Sequence, residues 1–325
     1  MPEKIILSII VPVFNEEAVI LETYKRMKNV MDSLKNPYEI IFINDGSRDR
    51  TAFIINEICE TDKSVKLIDF SRNFGHQLAI TAGMDYSTGE AVIVIDADLQ
   101  DPPEIIPKMV EKWREGYNVV YGQRLERKGE SIFKKLTARL FYRFLRQMTD
   151  IDIPVDTGDF RLIDREVCNA LKLINERNRY IRGIISWLGF KQTGIEFNRE
   201  KRFAGESKYP IKKMLRFAFD AISSFSYKPL KLASYTGFFI SIASFAYLLV
   251  VLYEGLFTNK TIPGWASTLA VSLFFNGIIL IMLGIIGGYI GRIYDEAKGR
   301  PLYIVKRVTN LTWEKDAGRK NWGSH

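Results

Sequence analysis

Only two cysteines, Cys59 and Cys168, occur in 325 residues, far apart and without metal-ligand spacing. They leave no basis for a disulfide scaffold or a cysteine metal site and read as reduced cytosolic thiols. Histidine is equally sparse, with His76 and His325 alone. No Ser-His-Asp or Cys-His set emerges from the motifs, and His76 reads as a polar residue at a helix start. The N-terminus lacks a basic-then-apolar leader, because Ile5–Phe14 is too short and strand-like, so a cytosolic location is expected for the part that follows. Repeats and low-complexity tracts do not stand out. Charge is missing altogether from two long stretches, Leu232–Tyr253 and Thr261–Gly291.

Those two stretches predict membrane spans. At a rise of about 1.5 Å per residue, roughly 20 apolar residues cross a hydrocarbon core of about 30 Å. The expected anchor is a helix pair over 231–292, with a short loop near Glu254–Lys260. Lys208, Lys212, Lys213, Arg216, Lys228 and Lys231 precede it, Arg292, Lys298, Arg300, Lys306 and Arg307 follow it, and only Lys260 lies between. The positive-inside rule then puts both flanks in the cytosol. Just before the pair, within 206–230, apolar residues recur at three-to-four spacing from Ile211 to Ile222 beside lysines and Arg216. That pattern predicts an amphipathic helix in the headgroup plane. Gly284 with Gly288 and Gly287 with Gly291 allow close helix approach.

The first 205 residues read differently. Short apolar runs at Ile5–Val13, Tyr38–Ile43, Val65–Phe70, Ala91–Ile95 and Asn118–Tyr121 predict strands. Helical patterns at Glu17–Leu34, Thr51–Cys59, Gly75–Tyr86 and Pro103–Glu115 separate them. This alternation predicts an α/β domain around a mainly parallel, Rossmann-like sheet. A cytosolic tail, 293–325, completes the chain, and its run Leu302–Val305 is strand-like. The formal net charge of +8 suits an anionic partner.

Ligands of such sheets gather outside the carboxyl ends of the strands, and several polar clusters fall there. Asp96-Ala-Asp98-Leu-Gln100 follows a buried run; two carboxylates one residue apart suit a hard divalent cation on phosphate oxygens, with Asp98 the more direct ligand and Asp96 and Gln100 supporting it. Asn44-Asp45-Gly46-Ser47 offers Asp45 to a base N–H or a ribose hydroxyl, with Ser47 or Asp49 free to cap the next helix. Pro12-Val-Phe14-Asn-Glu16-Glu17 supplies Phe14 to stack on a base and Glu16 to meet a ribose. In Thr157-Gly-Asp159-Phe-Arg161, Asp159 is either a general base or an orienting group for Arg161. Arg124, Lys134, Lys135, Arg161, Arg202 and Lys208 are candidates for an acceptor phosphate, the last two in a basic loop before the interfacial helix. Arg72–Gly75 and Gly83 read as structural elements of the crevice.

Taken together, Val11–Glu17, Asn44–Ser47, Asp69–Gly75, Asp96–Pro103, Thr157–Leu162 and the paired apolar stretches resemble glycosyltransferase family 2. Within it they resemble the membrane-anchored polyprenyl-phosphate branch, which includes dolichyl-phosphate mannose synthase and the bactoprenol glucosyltransferases. The resemblance implies a GT-A fold, magnesium or manganese, and an inverting transfer from a nucleotide sugar, UDP rather than GDP, to undecaprenyl phosphate. It implies that Asp45 binds the nucleotide and that Asp96, Asp98 and Gln100 form the metal–diphosphate motif. Pro12, Phe14, Glu16 and Arg124 would contribute to the donor site, and Asp159 matches the aspartate treated as catalytic in the bacterial branch. It further implies a multi-pass cell-membrane protein, a homotetramer, and a flippase and a second, lumen-facing glycosyltransferase as partners, with no nucleic acid. Two rival readings remain: a processive polysaccharide synthase, against which stands the absence of Gln-x-x-Arg-Trp, and a non-enzymatic membrane scaffold.

Overall fold

A computed structural model describes residues 4–125, 157–198, 228–257 and 264–311. The expected interfacial helix, with its apolar pattern from Ile211 to Ile222, lies outside them. The described residues form two compact units, one from 4–125, 157–198 and 300–311 and the other from 228–257 and 264–299.

In the first unit, strands form where β-branched and aromatic residues run nearly unbroken. These are β1 (Leu7–Val13), β2 (Tyr38–Asn44), β3 (Val65–Phe70) and β4 (Ala91–Val94). All seven residues of β1 are buried, as befits a strand covered on both faces. Helices α1 (Ile20–Leu34), α2 (Thr51–Thr61), α3 (His76–Tyr86) and α4 (Ile106–Arg114) alternate with these strands. The apolar stripe of α1 buries Ile20, Thr23, Met27 and Met31, three to four residues apart. The second half adds β5 (Val119–Arg124), β6 (Thr157–Asp164), α5 (Arg165–Leu173), α6 (Ile181–Leu188) and β7 (Gln192–Phe197). The Asp164 carboxylate caps α5 by accepting from the Glu166 N–H at 2.8 Å. Last comes β8 (Val305–Thr309).

The eight strands make one sheet in the order β7-β5-β6-β4-β1-β2-β3-β8. Pairs β1–β2, β1–β4, β2–β3 and β5–β7 are parallel, whereas β4–β6, β5–β6 and β3–β8 are antiparallel. The expectation of a mainly parallel sheet is therefore corrected to a mixed one. Helical crossovers impose parallel pairing on the centre, but β6 and β8 enter between or beside those strands with the opposite polarity. Ile9, Val11, Phe42, Leu67 and Ile93 from the central strands share one core with Met27, Met31, Ile55, Phe160 and Leu162.

The order reverses at β1: β2 and β3 lie on one side of it and β4 on the other. This switch point opens a crevice at the carboxyl ends of β1 and β4. Two non-glycine residues there adopt the left-handed region: Asn15 (φ 57°) just beyond β1, a residue type that tolerates it, and the branched Leu99 (φ 57°) just beyond β4. Conformations of this kind cost a branched residue about 1–2 kcal/mol, and the burial of Leu99 offsets that cost.

The second unit consists of α7 (Lys228–Phe257) and α8 (Trp265–Ala297). Glu254–Phe257 continue α7, where the sequence suggests the start of a loop. Among the described residues one helical segment, Phe274–Ala297, is long and apolar enough to cross a membrane, with mean hydropathy 2.0 and no burial. In α7 the apolar stretch Tyr235–Tyr247 is shorter.

Candidate functional site

The loops after β1 and β2 are laced together before any ligand is considered. Asn15 N–H donates to Ser47 Oγ at 2.9 Å, Glu16 N–H to Thr51 Oγ1 at 2.8 Å and Glu17 N–H to Asp49 Oδ2 at 3.2 Å. In return, Arg48 N–H donates to Asn15 Oδ1 and Arg50 N–H to Glu17 Oε2, each at 2.9 Å. Ser47 is thus a cross-loop acceptor instead of a helix cap, while Asp49 does serve the start of α2 through the Thr51 N–H at 3.0 Å.

Asp45 leaves β2 into this region, nearly buried. Its carboxylate accepts from the Phe74 N–H at 2.6 Å and the Gly75 N–H at 3.0 Å. Burial raises its pKa, although those two bonds and the charges of His76 and Arg72 oppose the shift. Asp45 therefore fixes the turn between β3 and α3. Gly75, with φ 108°, takes a conformation closed to most side chains.

A cleft of about 190 Å³ lies at the strand ends, lined by Pro12, Phe14, Glu16, Asp45, Asp96 and Asp98 among others. The structure thus brings six of the sequence-predicted site residues together. An adjoining cleft of about 410 Å³ shares Phe14, which is 43% exposed, and adds Arg48, Arg72 and Lys306. Asp96 Oδ1 is buried without a hydrogen-bond partner among the described residues, at an ion-pair separation of 3.5 Å from His76 Nε2. Burial drives the Asp96 pKa up to about 6, and nearby Asp159, Asp101 and Asp98 add to the rise against the pull of His76. Asp98 Oδ1 accepts from the Gln100 N–H at 3.1 Å, which ties the motif into a tight turn. Two hard carboxylates, one with an oxygen lacking a hydrogen-bond partner, suit a divalent cation that keeps other oxygen ligands. Among the described residues no group of three or more His, Cys, Asp or Glu side chains is placed to hold a metal by itself.

Antiparallel pairing brings a further carboxylate to His76, which also lines the cleft. β4 and β6 match Val94 with Arg161, and continuing that register by two residues sets Asp159 opposite Asp96. Asp159 Oδ2 meets His76 Nε2 at 3.2 Å and accepts from Gln77 Nε2 at 3.0 Å, while Oδ1 lies 3.2 Å from Arg182 Nε. Burial would raise the Asp159 pKa, but the His76 bond and the charges of Arg182 and Arg161 outweigh it and hold the group well below the usual carboxylate range. Burial would likewise lower the pKa of His76, yet its bond to Asp159 and the charges of Asp96 and Asp159 raise it to about 9. Arg161 is buried, donates to the Gly158 carbonyl at 2.9 Å, and is pushed by burial down to about 10. Arg182, near the start of α6, donates to the Thr157 carbonyl at 2.7 Å. Arg124 at the end of β5 reaches both oxygens of buried Asp101 at 3.3 Å.

Lys134, Lys135, Arg202 and Lys208 lie outside the described residues. The sequence reading missed His76 as a site residue: it does begin α3, but that start points into the carboxylate cluster. It also missed Arg182 and Lys306, because neither sits in a motif. The only sequence signal for Lys306 was the strand-like run before it.

A profile described as Glycosyl transferase family 2 matches residues 8–172. The chain is 61% identical over 307 residues to an uncharacterized glycosyltransferase, YkcC, of Bacillus subtilis, covering 94% of this chain and 95% of the relative. It is 42% identical over 301 residues to the SfII prophage-derived bactoprenol glucosyl transferase of Shigella flexneri, covering 93% and 97%. A solved structure of glucosyl-3-phosphoglycerate synthase from Mycobacterium tuberculosis, with Mn2+, UDP and phosphoglyceric acid, superposes with a TM-score of 0.49 at 17% identity, covering 67% of this chain and 76% of that one.

Proposed function

The chain belongs to glycosyl transferase family 2, and from that premise we propose that it moves a sugar from a UDP-sugar to undecaprenyl phosphate at the cytosolic face of a membrane. The observation that carries this reading is the switch-point cleft in which Asp45, Asp96 and Asp98 converge, with Asp96 Oδ1 lacking a hydrogen-bond partner among the described residues. The bactoprenol glucosyl transferase name of relatives at 42% identity supports the lipid acceptor. The charge-free stretch of α7 and that of α8 are the proposed spans, oriented by the basic residues on their flanks.

In this reading Phe14 stacks on the base, while Asp45 and Glu16 accept from base or ribose. Asp98, with Asp96 and Gln100, would hold magnesium or manganese. When bound, that ion supplies charge compensation for the departing diphosphate. The acceptor needs little activation, since a phosphate monoester already carries about −1.5 to −2 charge near neutral pH. Asp159 is therefore assigned to orientation and not to proton removal. Its oxygens are engaged by His76, Gln77 and Arg182, and in this role it fixes those three side chains around the reaction centre. Arg124 and Arg161 contribute positive charge for the acceptor phosphate.

One acceptor oxygen attacks the anomeric carbon as the bond to the diphosphate oxygen breaks and its electron pair leaves with UDP. No proton has to be transferred, and attack opposite the leaving group gives a β-linked lipid-phosphate sugar from an α-linked donor. Membranes carrying the full chain, incubated with undecaprenyl phosphate and a panel of radiolabelled UDP- and GDP-sugars, test the reading. The expected product is lipid-extractable and labile to mild acid. A polymer supports the processive synthase instead, and no transfer from any donor refutes the assignment.

A further inference from the structure

We propose that Tyr303, in the segment that follows α8, is a positioning residue for the donor site. This rests on the cleft being a nucleotide-sugar site. The loop Ser71–Gly75 has to present two backbone N–H groups to Asp45, yet it is neither helix nor strand. Part of its order is internal, with the Arg72 guanidinium 4.1 Å from the Phe74 ring centroid. The rest comes from far along the chain. The Tyr303 ring stacks on Phe70 with centroids 5.2 Å apart and planes 15° from parallel. Phe70 meets Phe74 edge-on at 5.6 Å and 87°. Next to Tyr303, the Ile304 carbonyl accepts from the Ser71 N–H at 3.0 Å.

The helix that follows the loop is tied by the same side chain at its far end. Tyr303 Oη donates to Asp85 Oδ2 at 2.8 Å, and Asp85 lies near the end of α3, the helix that begins with His76. Tyr303 thus braces the strand before the loop and the helix after it. An aromatic relay runs from Tyr303 through Phe70 to Phe74, whose N–H ends on Asp45. Directly beyond, β8 pairs with β3, with Val305 opposite Phe70, and brings Lys306 into the wall of the adjoining cleft, which Phe14 also lines. Loss of the Tyr303 ring leaves Phe70 without its stacking partner and the loop without that brace. Asp45 then loses preorganisation, and with it affinity for the donor, while Asp159 keeps its contact with Arg182, which comes from another helix.

The test uses the full-length protein in detergent. UDP affinity is measured by calorimetry, KM and kcat with UDP-glucose and undecaprenyl phosphate, and Tm for each variant. Tyr303→Ala should weaken UDP binding and raise the donor KM by ~10-fold, in line with the loss of an aromatic pair, with kcat within ~3-fold of wild type. Tyr303→Phe keeps the stack and should restore affinity to within ~3-fold. If Tyr303→Ala does not fold, Tyr303→Leu fills the space without stacking and should show the weakened affinity in a folded protein. Unchanged UDP affinity in a folded Ala or Leu variant overturns the proposal, as does a fall in kcat and Tm with KM unmoved. Wild-type protein that binds no UDP, while its Tm and fold are intact, overturns the donor reading itself and this inference with it.

Discussion

Two acidic groups, one on β2 and one just beyond β4, the strands that flank β1, behave in opposite ways. Glu39, near the start of β2, has every need met. Its Oε1 accepts from Ser8 Oγ at 2.5 Å and from the Thr88 N–H and Oγ1 at 2.7 and 2.9 Å, and Lys66 binds Oε2. Burial would raise its pKa, but Lys66, Ser8 and Thr88 reverse the effect and lower it. Asp96, beyond the end of β4, has a buried Oδ1 with no hydrogen bond among the described residues and a pKa pushed up to about 6. Unmet polar groups in a buried position are costly, so a fold keeps one where something else completes it. Glu39 knits β2 to β1, β3 and the turn before β4. In the proposed reading, Asp96 is completed by a ligand.

Four experiments can break or sharpen that contrast. Asp98→Ala, in the turn that Asp96 opens, should cut sugar transfer by ~10³-fold while the thermal transition stays in place, because its role is toward developing charge and not toward packing. Radiolabel transfer and circular dichroism on one preparation check both halves, and full activity with metal present would sink the site assignment. Glu39→Ala should do the reverse, costing about 3 kcal/mol of stability by stranding Lys66, with the kcat of the folded fraction unchanged. Phe14→Ala should weaken UDP binding by about 10-fold, the size of one base-stacking contact, and calorimetry measures it. The smallest effect concerns pH. Because the Glu39 pKa is lowered on folding, its contribution is fully present above the unfolded value of about 4.3 and lost as pH falls through the folded value. Acid denaturation curves for Glu39→Gln should therefore be flatter than wild type below about pH 4.

Much of the central sheet was legible because β-branched runs ending in carboxylates and turn residues leave few alternatives. Val65–Phe70 was read to the residue, and the clusters after β1, β2 and β4 meet in one cleft as their positions at strand ends require. The second half was less legible. Thr157–Leu162 was read as a polar motif although it is a strand, since Asp159 and Arg161 interrupt the apolar pattern that marks one. Pairing with β4 decides its conformation, and that partner is more than 60 positions away in the sequence. His76 looked ordinary for the same reason: a helix start is visible locally, but the carboxylates it faces come from β4 and β6. In the tail, Leu302–Val305 carried the strand signal, yet the strand begins at Val305 because Tyr303 is committed to Phe70 and Asp85 and the Ile304 carbonyl to Ser71.

The return of β8 to the edge of β3 has a consequence for biogenesis. Ribosomal synthesis delivers β3 more than 230 residues before the strand that covers it. Through that interval, and permanently in any polypeptide ending before residue 300, the Val65–Phe70 border presents unsatisfied amide and carbonyl groups to the surroundings, the template on which strands from other molecules add. Soluble fragments trimmed of the two long helices should self-associate unless residues 300–311 are rejoined to them by a linker, which makes that short segment the piece to retain when the enzyme is cut down.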